Sequence, residues 1–210
     1  MSDLPAGLQR RDFDGDSSLA TRGDPVHGEP TADGWRAWDP RRSKLAAMIE
    51  LEMDTGLQAG ATVLYLGAAA GTTVSHVADF AGPTYAVEFA PRPIQQLLSV
   101  AESRSRLFPL FKDARDPDSY THIVESDVDA IIQDVATRGQ ADVALRNRRF
   151  LSQDGRLITV IKARSEDVTA APSDVFSRAT TELATEYKLL ETQRLEPYHD
   201  DHLAVIATPE

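Results

Sequence analysis

Ala61-Thr-Val-Leu-Tyr-Leu-Gly-Ala-Ala-Ala-Gly-Thr-Thr73 decides the fold. Its first six residues are apolar or β-branched and read as a strand buried on both faces. Gly67 and Gly71 let the backbone turn tightly, and Thr72-Thr73 open a helix that runs to about Ala78–Phe80. A strand, a glycine-rich turn and a helix in succession place unpaired helix N–H groups where a ligand can meet them. The turn departs from the GxGxxG pattern, because position 69 is alanine, and it lacks the lysine of a P-loop. Pyrophosphate binding is therefore disfavoured.

Downstream, the alternation continues. Thr84–Phe89 reads as a second strand, Pro93 to about Ser103 as a helix, Leu107–Phe111 as a third strand and Val128–Gln133 as a fourth. A helix over Gln140–Leu151 and a fifth strand over Arg156–Ile161 follow. Strands separated by helices predict βαβ units and a parallel sheet covered on both faces. The tail differs: a helix from Ser173 to about Tyr187 precedes strands at Lys188–Leu195 and Leu203–Thr208, whose short connection favours an antiparallel hairpin. The expected fold is α/β, a Rossmann-like class I methyltransferase with a mostly parallel sheet and an antiparallel C-terminal hairpin.

Upstream, Asp39-Pro40 is the expected N-cap and first residue of a helix carrying Leu45, Ala46, Ile49 and Met53 on one face, ended by Gly56 and Gly60. Residues 1–34 are rich in Gly, Pro, Asp and Ser. The expected division is a disordered start over 1–16, a small β-rich extension with the connecting helix over 17–55, and the methyltransferase domain over 56–210.

With 210 residues, 41% of them hydrophobic, the chain can bury one sizeable core. No stretch approaches the roughly 20 apolar residues of a membrane span, and Met1–Arg11 lacks the apolar centre of a signal peptide, so a cytoplasmic protein is expected. The absence of cysteine excludes disulfides and thiolate chemistry, and the five histidines form no HExxH pair, so no metal is expected. The net charge is −11, and lysine appears only at 44, 112, 162 and 188 among 22 basic residues. A carboxylate-rich surface fits concentrated salt, which screens its self-repulsion. In such a chain a lysine at a strand end is less readily read as solubilising charge.

Charges do stand at the strand ends. Glu88, about twenty residues after the glycine turn, can accept hydrogen bonds from both hydroxyls of a ribose, and Asp113 follows the third strand. Together with the turn they suit a nucleoside without a pyrophosphate, as in S-adenosylmethionine. Asp134 closes the fourth strand and Lys162 the fifth, while Lys44 lies in the first turns of the upstream helix and His202 begins the last strand. Each has a bland alternative: a helix-end charge for Lys44, a turn residue for Asp134, a hairpin-base histidine for His202. His199 lies three residues from His202 and competes for its role, and His76 reads as structural.

Residues 34–47 (GWRAWDPRRSKLAA), 64–79 (LYLGAAAGTTVSHVAD), 85–89 (YAVEF), 112–117 (KDARDP), 131–136 (IIQDVA), 160–165 (VIKARS) and 195–202 (LEPYHDDH), in this order, resemble the fibrillarin family in its archaeal form. The resemblance runs from about His27 to the C-terminus. It implies S-adenosylmethionine-dependent methylation of ribose 2'-hydroxyls in rRNA and tRNA. It also implies work within a box C/D particle beside a guide RNA, a Nop-domain scaffold protein and a kink-turn-binding protein. The family's Lys-Asp-Lys-His set falls on Lys44, Asp134, Lys162 and His202. Cofactor contacts are expected at Gly67, Ala69, Gly71, Thr72, Thr73, Glu88, Phe89, Asp113, Ala114, Asp134 and Gln140.

A ribose 2'-hydroxyl needs a proton acceptor or a nearby positive charge to attack a sulfonium methyl, and two lysines around an aspartate can supply either. An acidic chain is an unusual RNA enzyme, since phosphate contacts favour a basic face. Presentation of the substrate by partners, with salt screening and a rim of Arg41, Arg42, Arg115, Arg146, Arg148 and Arg164, would reconcile the two. A protein side-chain methyltransferase and a non-catalytic, Nop-binding subunit remain open as other functions.

Overall fold

The computed structural model describes residues 4–210. Its first four strands, β1 (Leu8–Phe13), β2 (Asp16–Arg22), β3 (Thr31–Ala32) and β4 (Trp35–Ala37), form an antiparallel sheet in the order β1-β2-β4-β3. The expected disordered start over 1–16 is corrected from Leu8 onward; residues 1–3 lie outside the described residues. The polar alternation of β1 hid it: Leu8 and Phe13 are buried at its ends while the four residues between them line a two-stranded edge with Leu8 opposite Thr21.

Helix α1 (Lys44–Glu50) starts later than Asp39-Pro40 predicts. The Asp39 carboxylate accepts the Arg41 N–H at 2.8 Å, a local turn that competes with helix, and the N-cap is Ser43, whose hydroxyl accepts Ala46 N–H at 3.2 Å. The helix ends at Glu50, before either glycine, because Glu52 adopts φ 61°. Then follow β5 (Val63–Leu66), α2 (Thr72–Phe80), β6 (Thr84–Glu88), α3 (Pro91–Ala101), β7 (Leu107–Phe111), β8 (Val128–Gln133) and α4 (Gln140–Asn147). Next come β9 (Leu151–Lys162), α5 (Ala163–Glu166), α6 (Pro172–Leu183), β10 (Tyr187–Arg194) and β11 (His202–Pro209). The fifth strand of the parallel sheet, β9, begins at Leu151 rather than Arg156. Its polar start is carried by a register irregularity that sets Val128 against Leu151 but Ala130 against Arg156.

The seven C-terminal strands form one sheet in the order β10-β11-β9-β8-β5-β6-β7, parallel from β9 to β7 and antiparallel for β10 and β11. Period-two alternation divides the core. Val63 and Tyr65 of β5 and Ile158 and Val160 of β9 pack with α1, α2 and α3. Leu64 and Leu66, with Leu157 and Ile161, pack on the other face with α4 and α6. Leu8, Leu19 and Trp38 join the first of these cores, so the N-terminal sheet is seated on the larger one.

That seat is also polar. Arg36 of β4 is fully buried and holds Asp79 of α2 through Nε at 2.9 Å and Nη2 at 2.8 Å, while Arg104 reaches the other carboxylate oxygen at 3.1 Å. Thr21 donates to Asp79 at 2.6 Å and so accepts from Nδ1–H of His76 at 2.7 Å, fixing that tautomer; the ring stacks on Trp38 at 4.8 Å.

Candidate active site at the strand ends

Strands β5, β6, β8 and β9 all end at one edge of the sheet, the edge where open α/β sheets bind ligands. A cavity of about 420 Å³ opens there. Its wall contains Gly67 and Ala69 after β5, Val87, Glu88 and Phe89 at the end of β6, Asp113 and Ala114 after β7, and Asp134 after β8. Lys162 at the end of β9 and Lys44 of α1 complete it.

Two backbone features make room. Gly67 has φ +83°, and a Cβ placed on it would come within 2.9 Å of the Asp134 carbonyl oxygen, so no larger residue allows β5 and β8 to end this close together. Ala69, at φ 48°, turns its N–H onto Glu88 Oε2 at 2.9 Å, while Ala90 N–H meets Oε1 at 2.7 Å. Glu88 is thus a buried, fixed carboxylate that retains lone pairs toward the cavity. Asp113 is clamped by Arg115, with Oδ2 to Nη2 at 2.6 Å and Oδ1 to Nε at 3.0 Å, and this partner holds its carboxyl below the ordinary range. Phe89 is 62% exposed beside these two carboxylates, with the Arg115 guanidinium over its ring at 5.9 Å from the centroid.

The charged cluster is centred on one carboxylate. Lys162 Nζ lies 2.7 Å from Asp134 Oδ1 and donates to the Asp134 carbonyl oxygen at 2.9 Å, while Lys44 Nζ lies 3.2 Å from Oδ2. Lys44 is placed by the Ser43 cap, whose hydroxyl also accepts from Thr73 Oγ1 at 3.1 Å and so ties the start of α1 to the start of α2. Burial pushes the Lys162 ammonium below its ordinary range and Lys44 adds to the lowering, against the opposing pull of Asp134. His202 stands directly opposite Lys162 in the β9–β11 register, with Nδ1 2.5 Å from the Asp200 carbonyl oxygen. Its pKa is lowered by burial first and by both lysines, which favours the neutral imidazole. The His199 ring lies 5.8 Å from that of His202, and its Nε2 meets the Pro40 carbonyl at 2.8 Å.

Four of the residues expected as cofactor contacts do not line the cavity. The direction of a Cβ on Gly71 leads to Leu97 and Val100 of α3, so this glycine serves helix packing. Thr72 and Thr73 are set back from the wall, and the Thr73 hydroxyl is spent on Ser43. Gln140 is fully buried and its amide is engaged with Lys162 and Glu166. In the other direction, the wall includes Lys112, Arg115, Val135, Ala136, Thr137 and Val143, which were not expected as contacts. The loop residues 135–137 follow Asp134 at the strand end and could have been found by extending the strand-edge rule past the charge. His27, whose Nε2 meets the Ala70 carbonyl at 3.1 Å, carries no sequence signal of its contact with the glycine turn.

The fibrillarin family model matches residues 20–210. The chain belongs to the fibrillarin family. A fibrillarin-like rRNA/tRNA 2'-O-methyltransferase of Halorubrum lacusprofundi is 69% identical over 206 residues, covering 98% of this chain and 97% of that one. Among solved structures, fibrillarin in a fibrillarin/Nop5p complex is 38% identical with a TM-score of 0.91 over the full length of both chains. Aeropyrum pernix fibrillarin with natively bound S-adenosyl-L-methionine is 37% identical, TM-score 0.80, over 96% of this chain and 97% of that one. In this fibrillarin, no helix among the described residues is long and apolar enough to cross a membrane.

Proposed function

We propose that this fibrillarin transfers the methyl group of S-adenosylmethionine to ribose 2'-hydroxyls of rRNA and tRNA, as the catalytic subunit of a box C/D guide RNA-protein particle in the cytoplasm. The observation that carries this reading is a cavity of about 420 Å³ at the strand ends whose wall holds Glu88 and Asp113 together with Lys44 and Lys162 on one aspartate. The donor set fits the cofactor: Glu88 for the ribose hydroxyls, Asp113 and the Ala114 backbone for the base edge, and Phe89 as an apolar face, on a wall whose two strand ends Gly67 allows to meet closely. When bound, S-adenosylmethionine supplies an electrophilic methyl on a sulfonium centre.

The remaining chemistry belongs to the chain. Asp134 holds the two ammonium groups side by side, so that positive charge is concentrated where a 2'-oxygen would develop negative charge. Burial makes Lys162 easier to deprotonate than a free lysine, and in that neutral form, as the alternative to the cationic role, its Nζ would receive the hydroxyl proton and become the ammonium. His202, opposite Lys162, completes the polar edge. The larger sheet and its loops carry Asp134, Lys162 and His202, and the N-terminal extension, with strands from Leu8 onward, leads into α1, which contributes Lys44.

A basic stripe is not needed if a Nop-domain scaffold, a kink-turn-binding protein and the guide RNA deliver the target. The fibrillarin/Nop5p complex among the similar structures supports such a scaffold partner. The test is transfer of labelled methyl from S-adenosylmethionine in a particle reconstituted with these components, with the modified position mapped. Label on a ribose 2'-oxygen supports the reading, and label on protein overturns it.

A further inference from the structure

Lys162 is the last residue of β9, yet β8 pairs with β9 only as far as Gln133 opposite Thr159. Beyond that point the β9 backbone has lost its β8 neighbour, and an unpaired buried N–H and C=O are costly. The Gln140 side chain stands in for the missing strand. Its Oε1 accepts the Lys162 N–H at 2.9 Å and its Nε2 donates to the Lys162 carbonyl at 3.1 Å. The same Nε2 donates to Glu166 Oε2 at 3.0 Å.

Glu166 gives the amide its direction. A carboxylate can only accept, so the nitrogen end of Gln140 must face it, and the oxygen end is left for the Lys162 N–H. Glu166 is itself fixed at the start of α4, accepting from Gly139 N–H at 2.8 Å and Gln140 N–H at 3.1 Å. On the other side, Gln133 Nε2 donates to the Gln140 carbonyl at 2.8 Å, and Gln133 directly precedes Asp134. A continuous set of hydrogen bonds therefore joins the residue before Asp134 to the backbone of Lys162, behind the cavity wall.

We propose that Gln140, oriented by Glu166, is a positioning residue that sets the Lys162 ammonium on Asp134. This rests on the reading of Lys162 as the catalytic lysine. Gln140→Met keeps the length of the side chain and removes its two hydrogen bonds to Lys162 and the one to Glu166, and Gln140→Glu keeps the shape but faces a carboxylate toward the Lys162 carbonyl and Glu166. Both are measured as full chains in the reconstituted particle at high salt, in single turnover with saturating S-adenosylmethionine, beside calorimetry of cofactor binding. A misplacement of about 1 Å costs on the order of 10²-fold in rate. The expected result is a rate lower by about tenfold or more in both variants, with cofactor affinity within about threefold of the parent. The pH-rate inflection also shifts, since a merely smaller folded fraction would scale the rate equally at every pH.

Met-variant transfer at the parental rate, or a loss that only mirrors weakened cofactor binding, overturns the proposal. Should Gln140→Met fail to fold, Glu166→Gln carries the test: it leaves Gln140 in place but unoriented, so transfer slows at unchanged affinity, and an unchanged rate overturns the proposal. Lys162→Ala in the same assay separates the two readings. If it is inactive while Gln140→Met is fully active, positioning by Gln140 fails and the catalytic lysine stands; if Lys162→Ala is fully active, the catalytic assignment itself fails.

Discussion

Lys162 holds Asp134 at two points, its Nζ lying 2.7 Å from the carboxylate Oδ1 and 2.9 Å from the backbone carbonyl oxygen. The carbonyl contact carries the aligned hydrogen bond, since Oδ1 has no hydrogen-bond donor of good geometry and is held by charge. The ammonium is thus fixed both by the backbone just past β8 and by the ion pair. Lys162→Arg tests which property of the lysine matters. Arginine keeps the charge but cannot release a proton. If Lys162 takes the 2'-hydroxyl proton, the Arg variant transfers methyl slower by about 10² to 10⁴, the usual worth of a general base. A rate near the parent's assigns Lys162 a purely cationic role.

Glu88 has two duties, which makes its substitution informative. Its oxygens order the glycine turn through Ala69 N–H and cap the loop at Ala90 N–H, and the remaining lone pairs face the cavity. Glu88→Ala is expected to weaken S-adenosylmethionine binding by about 1.5 to 3 kcal/mol, the loss of charge-assisted hydrogen bonds. Titration calorimetry in high salt measures it, and parental affinity would remove the ribose assignment.

The order of elements, the parallel sheet and the edge that carries the site were legible in residues 61–89, because a strand buried on both faces and a glycine turn leave few alternatives. Lys44, Asp134, Lys162 and His202 were legible as a set, and the structure gathers three of them on one carboxylate with the fourth opposite Lys162. What was not legible depended on partners distant in sequence. Nothing in β1 announces a strand, since its register comes from β2. Gln140 looked like a ligand contact, and only the end of the β8–β9 pairing reveals that its amide completes a sheet.

His76 makes the N-terminal seat sensitive to acid. Burial, with Arg36, Arg104 and Arg42 nearby, drives its pKa well below the ordinary 6.5. The unfolded chain therefore binds a proton near pH 6.5 that the folded chain refuses, so this contribution to stability is present above pH 6.5 and is lost as pH falls. One such proton gives a slope of about 1.4 kcal/mol per pH unit. Denaturant titrations between pH 5 and 7 should show a slope in the parent that exceeds that of His76→Gln by up to this one-proton amount; identical slopes would assign the acid sensitivity elsewhere.

Salt dependence follows from the net charge of −11. Diluting salt lengthens the reach of carboxylate repulsion from about 8 Å at physiological ionic strength to about 30 Å at 0.01 M. The thermal midpoint followed by circular dichroism should fall continuously as salt is diluted. A midpoint independent of salt would contradict the reading of this surface as adapted to brine.

Guide-directed transfer is the most direct measurement. Particles reconstituted with a guide RNA, scaffold and kink-turn-binding protein are supplied with labelled S-adenosylmethionine and either a matched or a mismatched target RNA. The expected product is a 2'-O-methyl group at the single guided ribose of the matched target, with Lys162→Ala inactive although it still binds the cofactor. Methylation that ignores the guide, or a Lys162→Ala particle working at the parental rate, would contradict a ribose methyltransferase built around Lys162 and Asp134.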